Sequence, residues 1–324
     1  MFFSFWSSLF SQKKDHGFSK NDTFRKQFRP TSETIPQAQN LALRLPDLLL
    51  SAERIANTII AGEHSRKRAG RGRKFWQYRL AVSGESIQSI DWRQSAKNDR
   101  AYVRETEDET VQTLCLWCDH SRSMQWKSNP NFMSKQEQAF LISLTISHLL
   151  LGSGECLRLL CNHQEVENFS GIYKFPSLAF ALTRPRKEND EDLPELNLFL
   201  PNAWNILVSD FLYPIEQLEK FLKGLSQRPN RSLLIQIYDP AEQMLPFQGR
   251  TRFSGLEDEE PIIFSNVGSL SKTYEKLWID HQQQLKDICA KTGYHLLSHR
   301  LDYSPIQTLL QAWNILSVRR KRVV

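Results

Sequence analysis

From Val111 onward the chain alternates between two patterns. Short, nearly unbroken apolar runs (VQTLCLWC, CLRLLCN, AWNILVSD, RSLLIQIYD and YHLLSHRL) are separated by longer stretches with helical spacing. Those stretches include SKQEQAFLISLTISHLLLGSG, IEQLEKFLKGLSQ, YEKLWIDHQQQLKDICAKTG and SPIQTLLQAWNIL. A strand that is apolar on both faces has no solvent side, so both faces must be covered. Helices between such strands supply the cover and also make the crossover that parallel strands require. The pattern predicts an α/β domain over residues 111–316 built on a doubly wound, mostly parallel sheet. VENF predicts one further strand and SLAFALTR one further helix.

The chain ahead of this domain reads differently. Residues 1–40 turn polar after an aromatic start and contain RPTSETIPQAQN, which predicts a flexible tail. The start itself, MFFSFWSSLFSQKK, lacks a basic region ahead of its apolar stretch and a small-residue cleavage site, which argues against a secretory signal. Residues 41–110 form a separate N-terminal segment. Within it Leu45, Leu48, Leu49, Ala52, Ile55, Ala56 and Ile59 recur near helical spacing, and Gly62 predicts the helix end. A basic, glycine-punctuated and aromatic stretch follows, then an acidic one, and RAYVRE predicts a short strand. The fold class is thus α/β with an N-terminal helical and basic extension, closed by a basic tail over residues 317–324.

Composition sets outer limits. With 324 residues, 40% hydrophobic and 24% charged, a sizeable core is available. No apolar run approaches the roughly 18–20 residues of a membrane span. A net charge of +6 is compatible with nucleic acid, anionic lipid or an acidic protein surface. Cys115 and Cys118 lie three residues apart in one predicted strand, so they face opposite sides and cannot share a metal. Cys156 and Cys161 meet the same obstacle, and with Cys289 the five read as small thiols in a reducing cytoplasm.

Two of the predicted strands end in acid, LCLWCD at Asp119 and NILVSD at Asp210. In open α/β sheets ligands bind outside the carboxyl ends of the strands, at the switch in strand order. Both aspartates then belong on that rim. In an extended loop Asp119, Ser121 and Ser123 project to one side, while His120 and Arg122 point away. Hard oxygen ligands of this kind suit Mg²⁺, or Mn²⁺, with water completing the octahedron. The same residues also suit a polar turn in which Ser and Asp act as caps. The preceding apolar strand, the following helix and the later Ser209-Asp210 strand end favour the metal cup.

The D-x-S-x-S motif with a later strand-terminal Asp resembles the metal-ion-dependent adhesion site of von Willebrand factor type A domains. The ordered series GEHSRKRAGRGRKFWQYR, IDWRQSAKNDRAYVRE and CDHSRSM resembles the bacterial "domain of unknown function 58" family, over roughly residues 45–316. That resemblance implies a von Willebrand A-like domain with Asp119, Ser121, Ser123 and Asp210 as metal ligands. Thr183, in ALTRPR, is the candidate for the threonine ligand of such sites. It also implies a non-enzymatic, metal-dependent interaction module. Its partner would be a MoxR-type AAA+ ATPase, and its role the assembly or maturation of other proteins.

Other stretches carry alternatives. Arg66, Lys67, Arg68, Arg71, Arg73, Lys74 and Arg79 interleave with Phe75, Trp76 and Tyr78. Such a segment suits phosphate contact and base stacking, but the nearby acids Glu105, Glu107, Asp108 and Glu109 disfavour nucleic acid. A protein-docking surface through Arg71, Arg73 and Trp76 is a stronger reading than nucleic acid, and a purely structural role for the segment stands beside it. Asp91-Trp92-Arg93 reads as a staple in which Arg93 grips the carboxylate and Trp92 packs below. A metal-dependent phosphoester hydrolase is the enzymatic alternative. Against it, no carboxylate stands two residues after Asp119 to act as acid and base, and no G-x-S-x-G elbow is present.

Overall fold

The computed structural model describes residues 34–66, 75–82, 86–97, 100–106, 112–161, 165–184, 193–247, 249, 251–253, 262–264 and 267–317. The expected tails lie largely outside these residues, as do Arg71 and Arg73. The chain divides into a larger unit, ending at Ile59 and resuming at Gln112, and a smaller one over Ile60–Val111.

Helix α1 spans Thr34–Arg66 and carries Pro46 within it. It therefore begins inside the stretch expected as tail and runs past Gly62. A lone glycine with open space around it costs a helix only about 1 kcal/mol, too little to end one this long. Leu48, Ala52, Ala56 and Ile59 are buried at intervals of three and four residues, so one stripe of the helix is seated.

In the smaller unit, strand β1 (Phe75–Leu80) pairs antiparallel with β2 (Tyr102–Thr106), the strand that RAYVRE predicts. Between them α2 (Trp92–Ser95) is a single turn capped by Asp91, whose Oδ1 accepts the N–H groups of Arg93 and Gln94, each at 3.1 Å. The predicted staple is therefore replaced by a cap. Arg93 contributes its backbone rather than its guanidinium, and Trp92 stays 61% exposed. An Asp ahead of a helical turn satisfies orphan N–H groups at once, which a long Arg side chain cannot do. Of Trp76 only its place in β1 is described.

The larger unit follows the alternation read from the sequence. In chain order it comprises β3 (Thr113–Cys118), α3 (Lys135–Gly152), β4 (Cys156–Leu160), β5 (Val166–Ser170), α4 (Phe175–Leu182) and β6 (Trp204–Ser209). Then come α5 (Ile215–Ser226), β7 (Arg231–Tyr238), α6 (Pro240–Met244), a small β8–β9 ribbon (Thr251–Phe253, Ile262–Phe264), α7 (Ser271–Thr292), β10 (His295–Arg300) and α8 (Ile306–Ser317). Six strands form one sheet in the order β10-β7-β6-β3-β4-β5. All neighbours are parallel except β4 and β5. The chain starts in the middle at β3, winds out to β5, and returns on the other side at β6. The switch point thus falls between β3 and β6, the two strands that end in Asp.

Helix α3 is buried on nearly every side, including Lys135, Gln138, Ser143, Thr145 and Ser147. Thr145 and Ser147 return their hydroxyls to the carbonyls four residues back, at 2.7 Å each, so these polar groups are satisfied within the helix. The five cysteines are free thiols, with Cys115, Cys118 and Cys289 buried.

His299 on β10 joins α3 to α8. Its Nε2 accepts from Gln138 Nε2 at 3.0 Å and its Nδ1 donates to Thr308 Oγ1 at 3.1 Å, an arrangement that requires the neutral ring. Burial lowers its pKa to about 4. Between about pH 6.5 and pH 4 the unfolded chain therefore binds a proton that the folded chain refuses. Stability is full above that window and falls as pH drops through it, by about 3 kcal/mol in all. Urea unfolding at pH 7.0 and pH 4.5 should show the loss, and His299→Gln should flatten it. An equal acid slope in both proteins would show that His299 is not its source.

Candidate functional site

The carboxyl ends of β3 and β6 lie side by side, with Cys118 paired to Val208 and Asp119 N–H donating to the Val208 carbonyl at 2.8 Å. This register sets Asp119 beside Ser209 and brings Asp210 within reach of the loop after β3. Ser121 Oγ lies 3.0 Å from Ser123 Oγ, and Ser123 Oγ donates to Asp210 Oδ2 at 2.8 Å. The structure thus brings Asp119, Ser121, Ser123 and Asp210 together at one edge. Thr183 is not joined to them by a hydrogen bond. Its hydroxyl donates to the Ala179 and Phe180 carbonyls at the end of α4. A threonine in a helix's last turn finds an acceptor there at no cost in chain entropy.

Neither aspartate sits exposed on the rim. Both are fully buried. Asp119 Oδ1 accepts the Ser121 N–H at 2.7 Å, and Oδ2 accepts the hydroxyls of Ser209 at 2.6 Å and Tyr213 at 2.9 Å. Asp210 Oδ1 accepts the Leu212 N–H at 3.1 Å. Its Oδ2 takes Ser123 and also Lys135, whose Nζ stands 2.8 Å away. The same ammonium reaches Glu242 Oε1 at 2.5 Å, and Lys135 and Glu242 are as deeply buried as Asp210.

Each member of this cluster is placed by local chemistry. Lys135 is the first residue of α3, after the capping box of Ser134 and Glu137. Glu242 belongs to a second capping box, with Asp239, at the start of α6. Asp239 Oδ2 also accepts the Ser128 N–H at 2.8 Å, tying α6 to the loop after β3. Phe211 has φ 53, a left-handed conformation that a bulky residue adopts only under constraint. The constraint is visible on both sides of it. Its N–H donates to Ser209 Oγ at 3.0 Å, and its carbonyl accepts from His281 Nε2 at 3.0 Å.

Electrostatics follow from burial and from the ammonium. Burial works against a charged Lys135, yet Asp210 and Glu242 together hold its pKa above the ordinary lysine value. Burial alone would raise Asp210; Lys135, with bonds from Leu212 and Ser123, holds it below the usual carboxylate range. For Glu242 burial prevails over Lys135 and lifts it to about 7.

The hydroxyl pair at 3.0 Å matches the spacing of neighbouring ligands around Mg²⁺, about 3 Å for oxygens at 2.1 Å from the ion. The charge balance does not match. A dication on Ser123 Oγ would lie within about 8 Å of the Lys135 ammonium. There it would be repelled by about 4 kcal/mol or more at an effective dielectric near 20, relative to the same cluster without the lysine. Asp119 and Asp210 would attract such an ion, but their oxygens are already engaged, those of Asp119 by Ser121, Ser209 and Tyr213 and those of Asp210 by Leu212, Ser123 and Lys135. The residues present do not fit a resident divalent cation.

Sequence reasoning missed Lys135, Glu242, Ser209 and Tyr213 as members. One signal was available for Lys135. A cation in the first turn of a helix faces the positive end of the dipole, so something else must hold it there. Glu242 offered none beyond its capping box. Because Asp119 is buried with three donors on it, Asp119→Ala should act on stability. We expect a loss of about 3 kcal/mol or more in urea unfolding, against a smaller loss for Asp119→Asn, which keeps an acceptor oxygen. An alanine variant as stable as the parent would mean that the three donors find other partners.

The family model described as "Protein of unknown function DUF58" matches residues 77–284. No curated protein matches the chain. One similar solved structure is that of the conserved hypothetical protein BatB from Bacteroides thetaiotaomicron. It is 10% identical, with a TM-score of 0.39 over 64% of this chain and 99% of that one. An aerotolerance-related membrane protein from Bacteroides fragilis NCTC 9343 is 13% identical, with a TM-score of 0.37 over 64% and 98% of the two chains. An uncharacterized membrane spanning protein from Vibrio fischeri is 12% identical, with a TM-score of 0.19 over 64% and 100%. In this chain no helix among the described residues is long and apolar enough to cross a membrane. The family match spans more than half of the sequence and takes in both the smaller unit's strand pair and the acid cluster at the switch point, and by it the chain belongs to the DUF58 family.

Proposed function

We propose that the chain is a non-catalytic protein-interaction module. The state of the acids at the carboxyl edge carries this reading. Asp119, Asp210, Asp239 and Glu242 are all fully buried, and each accepts hydrogen bonds from the chain itself. A nucleophile or general base needs a lone pair aimed at a substrate. The oxygens of Asp119 are turned instead to Ser121, Ser209 and Tyr213. The hydrolase alternative gains nothing from such an arrangement. A cluster of this kind holds loops in place, and recognition then falls to the surface.

The surface we assign to docking lies on the turn Ile172–Lys174 and helix α4. Tyr173, Pro176 and Phe180 recur every three to four residues on the exposed side, with Tyr173 75% and Phe180 61% exposed. The Tyr173 ring folds over Gly171, where a Cβ would meet it at 2.7 Å. Lys174 Nζ lies 5.6 Å from the Tyr173 ring centre and the Arg184 guanidinium 5.4 Å from that of Phe180. Exposed aromatics beside cations suit a protein partner with apolar pockets and an acidic rim. The family resemblance points to a MoxR-type AAA+ ATPase, in the assembly or maturation of other proteins.

A pull-down with the full chain and a purified MoxR-type ATPase tests this. Tyr173→Asp and Phe180→Asp should each weaken capture at least about tenfold, because a charge must then be buried in an apolar contact, while the unfolding temperature stays near the parent's. Phosphatase and nuclease assays should stay at background. Undiminished capture by both folded variants would remove this surface. Hydrolysis lost in Asp119→Asn would remove the non-catalytic reading.

A further inference from the structure

We propose that Lys135 is a built-in cation standing in for a divalent metal, so that this carboxyl edge is assembled without one. Buried carboxylates need compensating charge, which a protein can supply through a bound ion or a side chain. Here the side chain is in place. Lys135 Nζ lies 2.8 Å from Asp210 Oδ2, an oxygen shared with Ser123 of the D-x-S-x-S loop, and 2.5 Å from Glu242 Oε1. Its side chain has no exposure to solvent, so it neither titrates surface charge nor reaches a partner.

Position makes the same point. A lysine at the first residue of a helix opposes the dipole, and a solvated one would turn away. Lys135 instead runs inward, and its ammonium joins the start of α3 to the end of β6 and the start of α6. Asp119, at the same edge, accepts hydrogen bonds from the Ser121 N–H and from the hydroxyls of Ser209 and Tyr213. A metal can be lost to a chelator. A lysine cannot, so this edge keeps one shape whatever the free Mg²⁺.

The test uses the full chain stripped with chelator and then titrated with Mn²⁺, reading bound ion by electron paramagnetic resonance and unfolding temperature in parallel. The parent should bind no Mn²⁺ at the cluster and unfold at the same temperature in Mg²⁺ and in EDTA. Lys135→Met keeps most of the stem and removes the charge. It should be less stable in EDTA and bind Mn²⁺ at least about 100-fold more tightly than the upper limit set by the parent's titration, with Mn²⁺ raising its unfolding temperature. Asp210→Ala added to Lys135→Met should abolish that gain. Mn²⁺ binding by the parent that is lost in Asp119→Asn would overturn the proposal, as would a folded Lys135→Met that gains no ion. If Lys135→Met does not fold with or without Mn²⁺, Lys135→Gln, which keeps a donor, takes its place, and the parent's own titration still decides. No partner is present, so failure here is distinct from failure of the pull-down.

Discussion

The ammonium of Lys135 is the contact on which the carboxyl edge depends. It sits between Asp210 and Glu242 with no solvent on any of the three side chains. Such an ion pair is a weak source of net stability, because desolvating the charges costs about as much as their attraction returns. Its effect is on specificity. Loss of one partner would strand the others in the interior, so the loop after β3, the end of β6 and the start of α6 must come together in one way. Asp239 adds a second tie, since its carboxylate caps α6 and also holds the Ser128 N–H.

Around that pair, backbone and side chains constrain each other. Asp119 collects Ser209, Tyr213 and the Ser121 N–H, while Ser209 in turn accepts from Phe211. Phe211 is thereby held at positive φ, with His281 of α7 gripping its carbonyl. Strain of this kind, of order 1–3 kcal/mol, persists only where surrounding contacts over-determine it. The residues that a metal-binding reading treats as open ligands are the same ones that hold this turn. On the function proposed above, this edge is a rigid frame and the exposed Tyr173–Phe180 stripe is the place of contact.

The departures from expectation have local causes. Gly62 does not stop α1, because a single glycine is a modest penalty inside a long helix whose other face is seated. Asp91 caps a turn rather than gripping Arg93, because the N–H groups two and three residues on are closer than any guanidinium. Val166–Ser170, by contrast, fits the expectation of one further strand in a mostly parallel sheet; it joins in the antiparallel sense, which lets a short connection return from β4.

By itself the sequence determined the layers and where the acids fall. Strands such as LCLWC and NILVS are apolar on both faces, and the only stable home for them is a sheet covered on both sides. Their terminal aspartates must then lie at its carboxyl edge, because a strand's end is a local property. The D-x-S-x-S spacing was likewise local; that Ser123 meets Asp210 depends on the pairing of β3 with β6. What only the tertiary structure decided was the cluster's charge. Lys135 and Glu242 stand 107 positions apart, and each occupies a helix start where polar residues are ordinary. No periodicity separates a lysine in water from one sealed between two carboxylates. That difference arises when α3 and α6 pack against the ends of β6 and β7, and it makes Asp210 and Ser123 members of a buried network that contains a lysine.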